Sequence, residues 1–290
     1  MKLTKRVKHI YNRVDYSTSK KIFGNTAGAR NNLQGAFKKS KTSEPSNPQI
    51  KELLENQFVI LGQSFSEETM EKIREKYNEC IENKNSSYVT SEYDGEIYCR
   101  HVSEPEKNIS ELKDIITSEI ASIVKGYYDG NFQIRRLDLW RNYHVPKELA
   151  KSKETFSNYW HCDARSTEFL KMFILVSNVL EDDGPFHIMS QKRTKELIKK
   201  GFGTRENYEI PLDEMEDSNH VVKGVGNSGT VFLANTELCL HRAGIPEKGH
   251  LRDVIQVVFA PSEKPFSENW FEDFSQDEKY RLGTSYNKNE

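Results

Sequence analysis

Apolar positions along the chain change their period near Gly130. Before it, spacings of three and four dominate, as on the buried face of a helix. Ile50-Lys51-Glu52-Leu53-Leu54-Glu55-Asn56 reads as a short helix, and Gln57-Phe58-Val59-Ile60-Leu61 as a strand. Ser66-Glu67-Glu68-Thr69 carries the cap chemistry of a helix start, and Met70, Ile73, Tyr77, Cys80 and Ile81 form its stripe to about Ile81. A further helix is predicted from Ile109 to Tyr127. After Gly130 come short apolar runs punctuated by Gly and Pro, predicting strands at Phe132–Tyr143, Phe169–Val179, Phe186–Met189, Val221–Val225, Thr230–Leu233 and Val254–Ala260. The segment reaching Trp160-His161 reads as extended too. This texture predicts an α+β chain with a mainly β core, a sandwich or jelly roll with helices packed on one sheet.

Charge divides the chain differently. Eleven basic residues and one acid, Asp15, precede Glu44, whereas the net charge of the whole chain is −2, so the remainder stands at about −12. The polar, turn-rich stretch from Lys38 to Pro48 reads as a linker. Residues 1–48 are therefore expected to be a basic leader, flexible or amphipathic, and residues 49–290 a single domain. Val7, Ile10, Tyr11 and Val14 keep an amphipathic helix open, and a weak contact with an anionic membrane or a protein is one expectation for the leader. No specific nucleic-acid partner is expected. The longest apolar runs are too short to span a bilayer, and the N-terminus lacks the apolar core of a secretory signal. Cys80, Cys99, Cys162 and Cys239 are scattered, as expected of reduced thiols in a cytoplasmic protein.

The candidate chemistry lies in four residues. His161-Cys162-Asp163 is the only His-x-Asp in the chain. In an extended segment, residues i and i+2 share a face, so the imidazole and the carboxylate can reach one metal ion while Cys162 points away. His241 supplies a third ligand. Two His and one carboxylate make the facial triad of non-haem Fe(II) sites, which leaves positions open for O2 and a co-substrate. Arg252 follows eleven residues later, where a planar guanidinium can grip a carboxylate through two parallel bonds.

These residues carry a family resemblance, extending from about Leu53 to Ala260. Trp160-His161-Cys162-Asp163, the strand Leu170–Val176 leading to Glu181-Asp182-Asp183-Gly184-Pro185, Leu240-His241-Arg242-Ala243-Gly244 and Arg252-Asp253-Val254-Ile255-Gln256 resemble the phytanoyl-CoA dioxygenase-like group of Fe(II)/2-oxoglutarate oxygenases. The resemblance implies a double-stranded β-helix (jelly-roll, cupin-like), with Fe(II) bound by His161, Asp163 and His241. It also implies O2 and 2-oxoglutarate as co-substrates, with Arg252 on the distal carboxylate of 2-oxoglutarate. The reaction implied is hydroxylation of a C–H bond of a small polar metabolite (a sugar, amino-acid or natural-product intermediate), with release of succinate and CO2. Related halogenases lack the carboxylate that Asp163 provides here. Phe173 matches an aromatic position over the co-substrate, and Gln256 is a candidate to support the carboxylate site. Two segments depart from the family: Ile188-Met189-Ser190-Gln191 stands where Pro-Gly-Ser-His is usual, and Asn227-Ser228-Gly229 where a Gly-Asp turn is common.

Alternatives from other classes are an inactive β-helix module with a binding or regulatory role, and a Zn2+ hydrolase. His187 is the nearest rival ligand. Arg100, His101, Arg136, Arg141 and Tyr143 are expected near the pocket mouth, and residues 201–229 form a polar, lid-like insertion.

Overall fold

The computed structural model describes residues 46–163, 168–202 and 220–274. Of the leader expected over residues 1–48, all but Ser46, Asn47 and Pro48 lies outside the described residues. The first described helix, α1 (Pro48–Asn56), has Pro at its first turn, and the Asn47 side chain accepts from the amides of Gln49 and Ile50. Strand β1 (Phe58–Gln63) follows. Helix α2 (Glu67–Glu82) is capped by Ser66 and buries the five predicted stripe residues. The predicted helix from Ile109 to Tyr127 is instead broken. A short helix α3 (Pro105–Asn108), a 3-10 segment (Ser110–Asp114) and α4 (Ser118–Tyr128) replace it. The apolar spacing explains the break. Ile109, Leu112 and Ile115 recur every three residues, the 3-10 period, and Thr117 caps a fresh helix before Ile120.

Among the described residues, ten strands form two antiparallel sheets. The larger has the order β1-β8-β5-β10-β4-β3-β2, with β2 (Ser87–Tyr93), β3 (Glu96–Val102), β4 (Phe132–Tyr143), β5 (Leu170–Leu175), β8 (Thr230–Ala234) and β10 (Leu251–Pro261). The smaller has the order β7-β6-β9, from β6 (Phe186–Met189), β7 (Val221–Gly224) and β9 (His241–Ala243). Together they make the expected jelly roll, with helices over the larger sheet. Since Val221–Gly224 pairs with β6, the insertion proposed at 201–229 is corrected at its C-terminal end. Residues 203–219 lie outside the described residues. Among those described, no helix is long and apolar enough to cross a membrane.

Strand alternation sorts the large sheet into two faces. Ile255, Val257, Phe259, Met172, Ile174, Val231 and Leu233 pack beneath the helices. Val254, Phe173, Leu175 and Phe232 point the other way and meet Ile188 and Phe186 of the small sheet. The barrel interior is therefore the second of these surfaces, and whatever chemistry it holds comes from alternate residues.

This alternation corrects part of the expected pocket mouth. Arg141 faces the helices, where Nε and Nη2 donate to Asp253 at 2.7 Å each and Nη2 also donates to Asn78 at 2.7 Å. Arg100, directly opposite Arg141 across the β3–β4 pair, shares its face, and Tyr143 is two residues further along β4. Only His101 and Arg136 of that group face the barrel. The Arg141–Asp253 pair is structural, with side chains 12% and 4% exposed. Asp253→Ala strands a buried guanidinium, so we expect a loss of about 3–5 kcal/mol, whereas an apolar pair at both positions is expected to recover most of it. Denaturant titration checks this, and an unshifted midpoint in Asp253→Ala would contradict it.

Candidate metal centre

Trp160-His161 is not a strand. Ser157 has a left-handed backbone (φ 60) that interrupts extension, and only an isolated bridge joins His161 to His241. That bridge is reciprocal: His161 N donates to His241 O at 3.1 Å, and His241 N to His161 O at 3.0 Å. Asp163 N donates to Thr236 O at 3.0 Å. Backbone pairing thus brings residues 80 positions apart to one place without a continuous strand.

The three side chains converge. One donor atom from each of His161, Asp163 and His241 lies within 4.8 Å of the others. Each imidazole Nδ1 faces a backbone carbonyl, Tyr159 O at 2.7 Å for His161 and Cys239 O at 3.0 Å for His241. A proton on each Nδ1 leaves Nε2 as the lone pair, and both Nε2 atoms stand 3.7 Å from the Asp163 carboxylate. Burial, with His161 alongside, pushes His241 down to about 3, so its ring is neutral. Burial alone would raise the Asp163 carboxyl, yet Lys171 and the two imidazoles hold it well below the usual range. Two imidazole nitrogens and an ionised oxygen donor, aimed at one point, suit a divalent transition metal.

Two residues at this centre escaped the sequence reading. Lys171 Nζ forms an ion pair with Asp163 Oδ2, and Thr236 Oγ1 donates to the same oxygen at 2.6 Å. Both occupy Oδ2 and leave Oδ1 for a metal. The available signal was Lys171 itself, a charge in the otherwise apolar Leu170–Leu175 and on the same face as Phe173.

From the triad an apolar wall leads to Arg252. Phe186 lies 5.7 Å from the His241 ring and stacks on Phe173 at 5.0 Å. Leu175 is the next inward residue of β5; its partner Val254 is one inward step from Arg252. Arg252 is 3% exposed. Its Nη2 donates to Asn142 Oδ1 at 2.9 Å, Nη1 bonds Gly184 O, and Nε is buried with no partner. Asn142 Oδ1 is also held by Trp140 Nε1 at 3.0 Å. Gly184 has φ 66, and a Cβ there would fall 2.4 Å from Pro246 N, so glycine lets this carbonyl approach. Burial pushes Arg252 down to about 10, still cationic at neutral pH. No carboxylate among the described residues touches it.

Gln256 shares the inward face of β10 with Arg252 but donates to Asp138 Oδ2 at 3.1 Å. Asp138 pairs in turn with Arg136. His101 stacks between Tyr88 and Trp140. These groups form a buried polar wall beside the apolar one. His187, the rival ligand, stands opposite Arg242 in the β6–β9 register, on the face away from His241.

No family model and no curated protein matches the chain. Solved structures do match. The non-heme alpha ketoglutarate dependent epimerase SnoN from nogalamycin biosynthesis has a TM-score of 0.54 at 10% identity, over 74% of this chain and 82% of that one. HygX from Streptomyces hygroscopicus, with nickel, 2-oxoglutarate and hygromycin B bound, gives 0.51 at 13% identity over 75% and 88%. EctD from S. alaskensis in its apoform gives 0.53 at 13% over 77% and 79%. The likeness establishes a shared jelly-roll fold.

Proposed function

We propose that the chain is a non-haem Fe(II)- and 2-oxoglutarate-dependent oxygenase that oxidises a C–H bond of a small polar metabolite. The observation that carries this is a pairing of two sites. A metal-ready triad and a buried guanidinium without an anion stand at opposite ends of one apolar wall. His161, Asp163 and His241 would hold the iron, and Arg252 the distal carboxylate of 2-oxoglutarate. Bound iron with O2 and 2-oxoglutarate supplies the oxidising equivalents, 2-oxoglutarate leaving as succinate and CO2. Everything else falls to the chain. Lys171 and Thr236 fix Asp163 through Oδ2. Phe173, Phe186 and Val254 keep the lane between metal and guanidinium apolar, which strengthens the charge pairing at its far end. Hydrolysis at the same triad would have no use for Arg252.

Arg136, Asp138, Gln256 and His101 favour a substrate rich in hydroxyl, amine or amide groups, because an ion pair and an amide offer donors and acceptors together. The similar folds named above include one from nogalamycin biosynthesis and one with hygromycin B bound, which supports a natural-product intermediate. The test is an anaerobic titration of apoprotein with Fe(II) and then 2-oxoglutarate. A visible metal-to-ligand charge-transfer band is expected, and its loss in Asp163→Ala. Failure of both Fe(II) and 2-oxoglutarate to bind would sink the proposal.

A further inference from the structure

The small sheet has a second face, turned away from the triad. Alternation puts Arg242, His187 and Lys223 there, directly opposite one another across β9, β6 and β7. Trp160, one residue before His161, packs onto the same face, its ring 6.3 Å from that of His187. A cavity of about 860 Å³ opens on them, with Val221, Val225 and Ile245 adding apolar wall. That volume falls in the range of roughly 300–1,000 Å³ common for small-molecule sites.

The chemistry of the lining is one-sided. The Arg242 guanidinium lies 5.1 Å over the Trp160 ring, and its Nε donates to His187 Nδ1 at 3.0 Å. Accepting that bond puts the His187 proton on Nε2, so this ring too offers a donor to the cavity. Nη1 and Nη2 of Arg242 have no acceptor among the described residues. Trp160 is 3% exposed, and its Nε1 is buried without a partner. The lining's carboxylate, Glu181, is already taken by Lys223 at 2.6 Å across the rim. Donors without acceptors, an uncompensated cation and apolar flanks together describe a receptor for an organic anion.

We propose that this cavity binds a small organic anion, a carboxylate or phosphate with an apolar portion, held by Arg242 and the Nε2–H of His187 beside the Trp160 ring. The site is separate from the proposed co-substrate pocket and needs no metal. Metal-free protein in an anion-poor buffer should therefore be titrated with phenyl phosphate and with benzoate, following calorimetric heat and indole emission. Saturable binding of either is expected, and the tighter probe identifies the anion. Arg242→Gln should weaken it at least about tenfold, the loss expected for a charge-assisted contact. Arg242→Lys should fall between, and Lys223→Gln at the exposed rim should weaken it less. Arg252→Gln should leave it unchanged. Saturation by neither probe overturns the proposal. So does undiminished binding in folded Arg242→Gln, or in Arg242→Lys if the glutamine variant does not fold. Equal weakening by Arg252→Gln would place the anion in the other pocket and likewise overturn it.

Discussion

Asp163→Ala is expected to lower Fe(II) affinity by more than about 100-fold. The scale follows from what neighbours of ligands do: removing a group that merely orients a ligand costs about 10- to 100-fold, so removing a ligand must exceed it. His241→Ala should match it in metal binding but not in stability. Losing Asp163 also strands Lys171, whose side chain is only 13% exposed and whose one ion pair among the described residues is with that carboxylate. Apo Asp163→Ala should therefore melt below apo His241→Ala. Adding Lys171→Met to Asp163→Ala should restore much of the melting temperature and none of the metal binding. Calorimetric Fe(II) or Co(II) titration and thermal melts read the two effects separately. Metal binding within tenfold of wild type in Asp163→Ala would remove Asp163 from the ligand set.

Why the double variant is informative bears on what the sequence could show. The His-x-Asp motif and its distal His were legible because their spacing and types are constrained by metal geometry. Lys171 was not singled out, since a lysine in a strand usually turns to solvent. Its meaning depends on β5 lying beside the loop that carries Asp163, which is a tertiary fact. The strands of the inner sheet layers were readable from apolar runs, and β4 runs over the range expected for it. The β2–β3 hairpin went unread although Asp94-Gly95 marks its turn, with φ 54 and φ 80 at the two positions. Its strands carry Ser, Thr and Glu at the sheet edge, so the hydrophobic signal was weak. Helix α5 (Gln191–Lys199), capped by Ser190, was also missed, because few of its residues are apolar and it buries only Thr194 and Leu197. The faces on which Arg141 and Arg136 lie depended on register, and a five-residue difference between them along β4 reverses the side.

Arg252→Ala is expected to raise the 2-oxoglutarate requirement while leaving Fe(II) binding intact. Removing one partner of a buried charged pair costs about 2–5 kcal/mol, or roughly 30-fold to several thousand-fold in Kd. The lower end is favoured by the surroundings, because Asn142 keeps its bond from Trp140 and can offer an amide in place of the lost cation. Lysine is no substitute. Arg252 uses Nη1 on Gly184 O and Nη2 on Asn142 and still holds Nε unpartnered, a planar arrangement that a single ammonium cannot reproduce. Arg252→Lys should therefore fall between wild type and alanine. The charge-transfer band should still form in Arg252→Ala at high 2-oxoglutarate, since the metal-side contacts are untouched, with its half-saturation point shifted upward. An unshifted titration in a folded Arg252→Ala protein would mean that the buried guanidinium serves Gly184 and Asn142 alone. The co-substrate carboxylate would then have to find its cation elsewhere, and Lys171, already on the barrel face and beside Asp163, is the one the geometry offers.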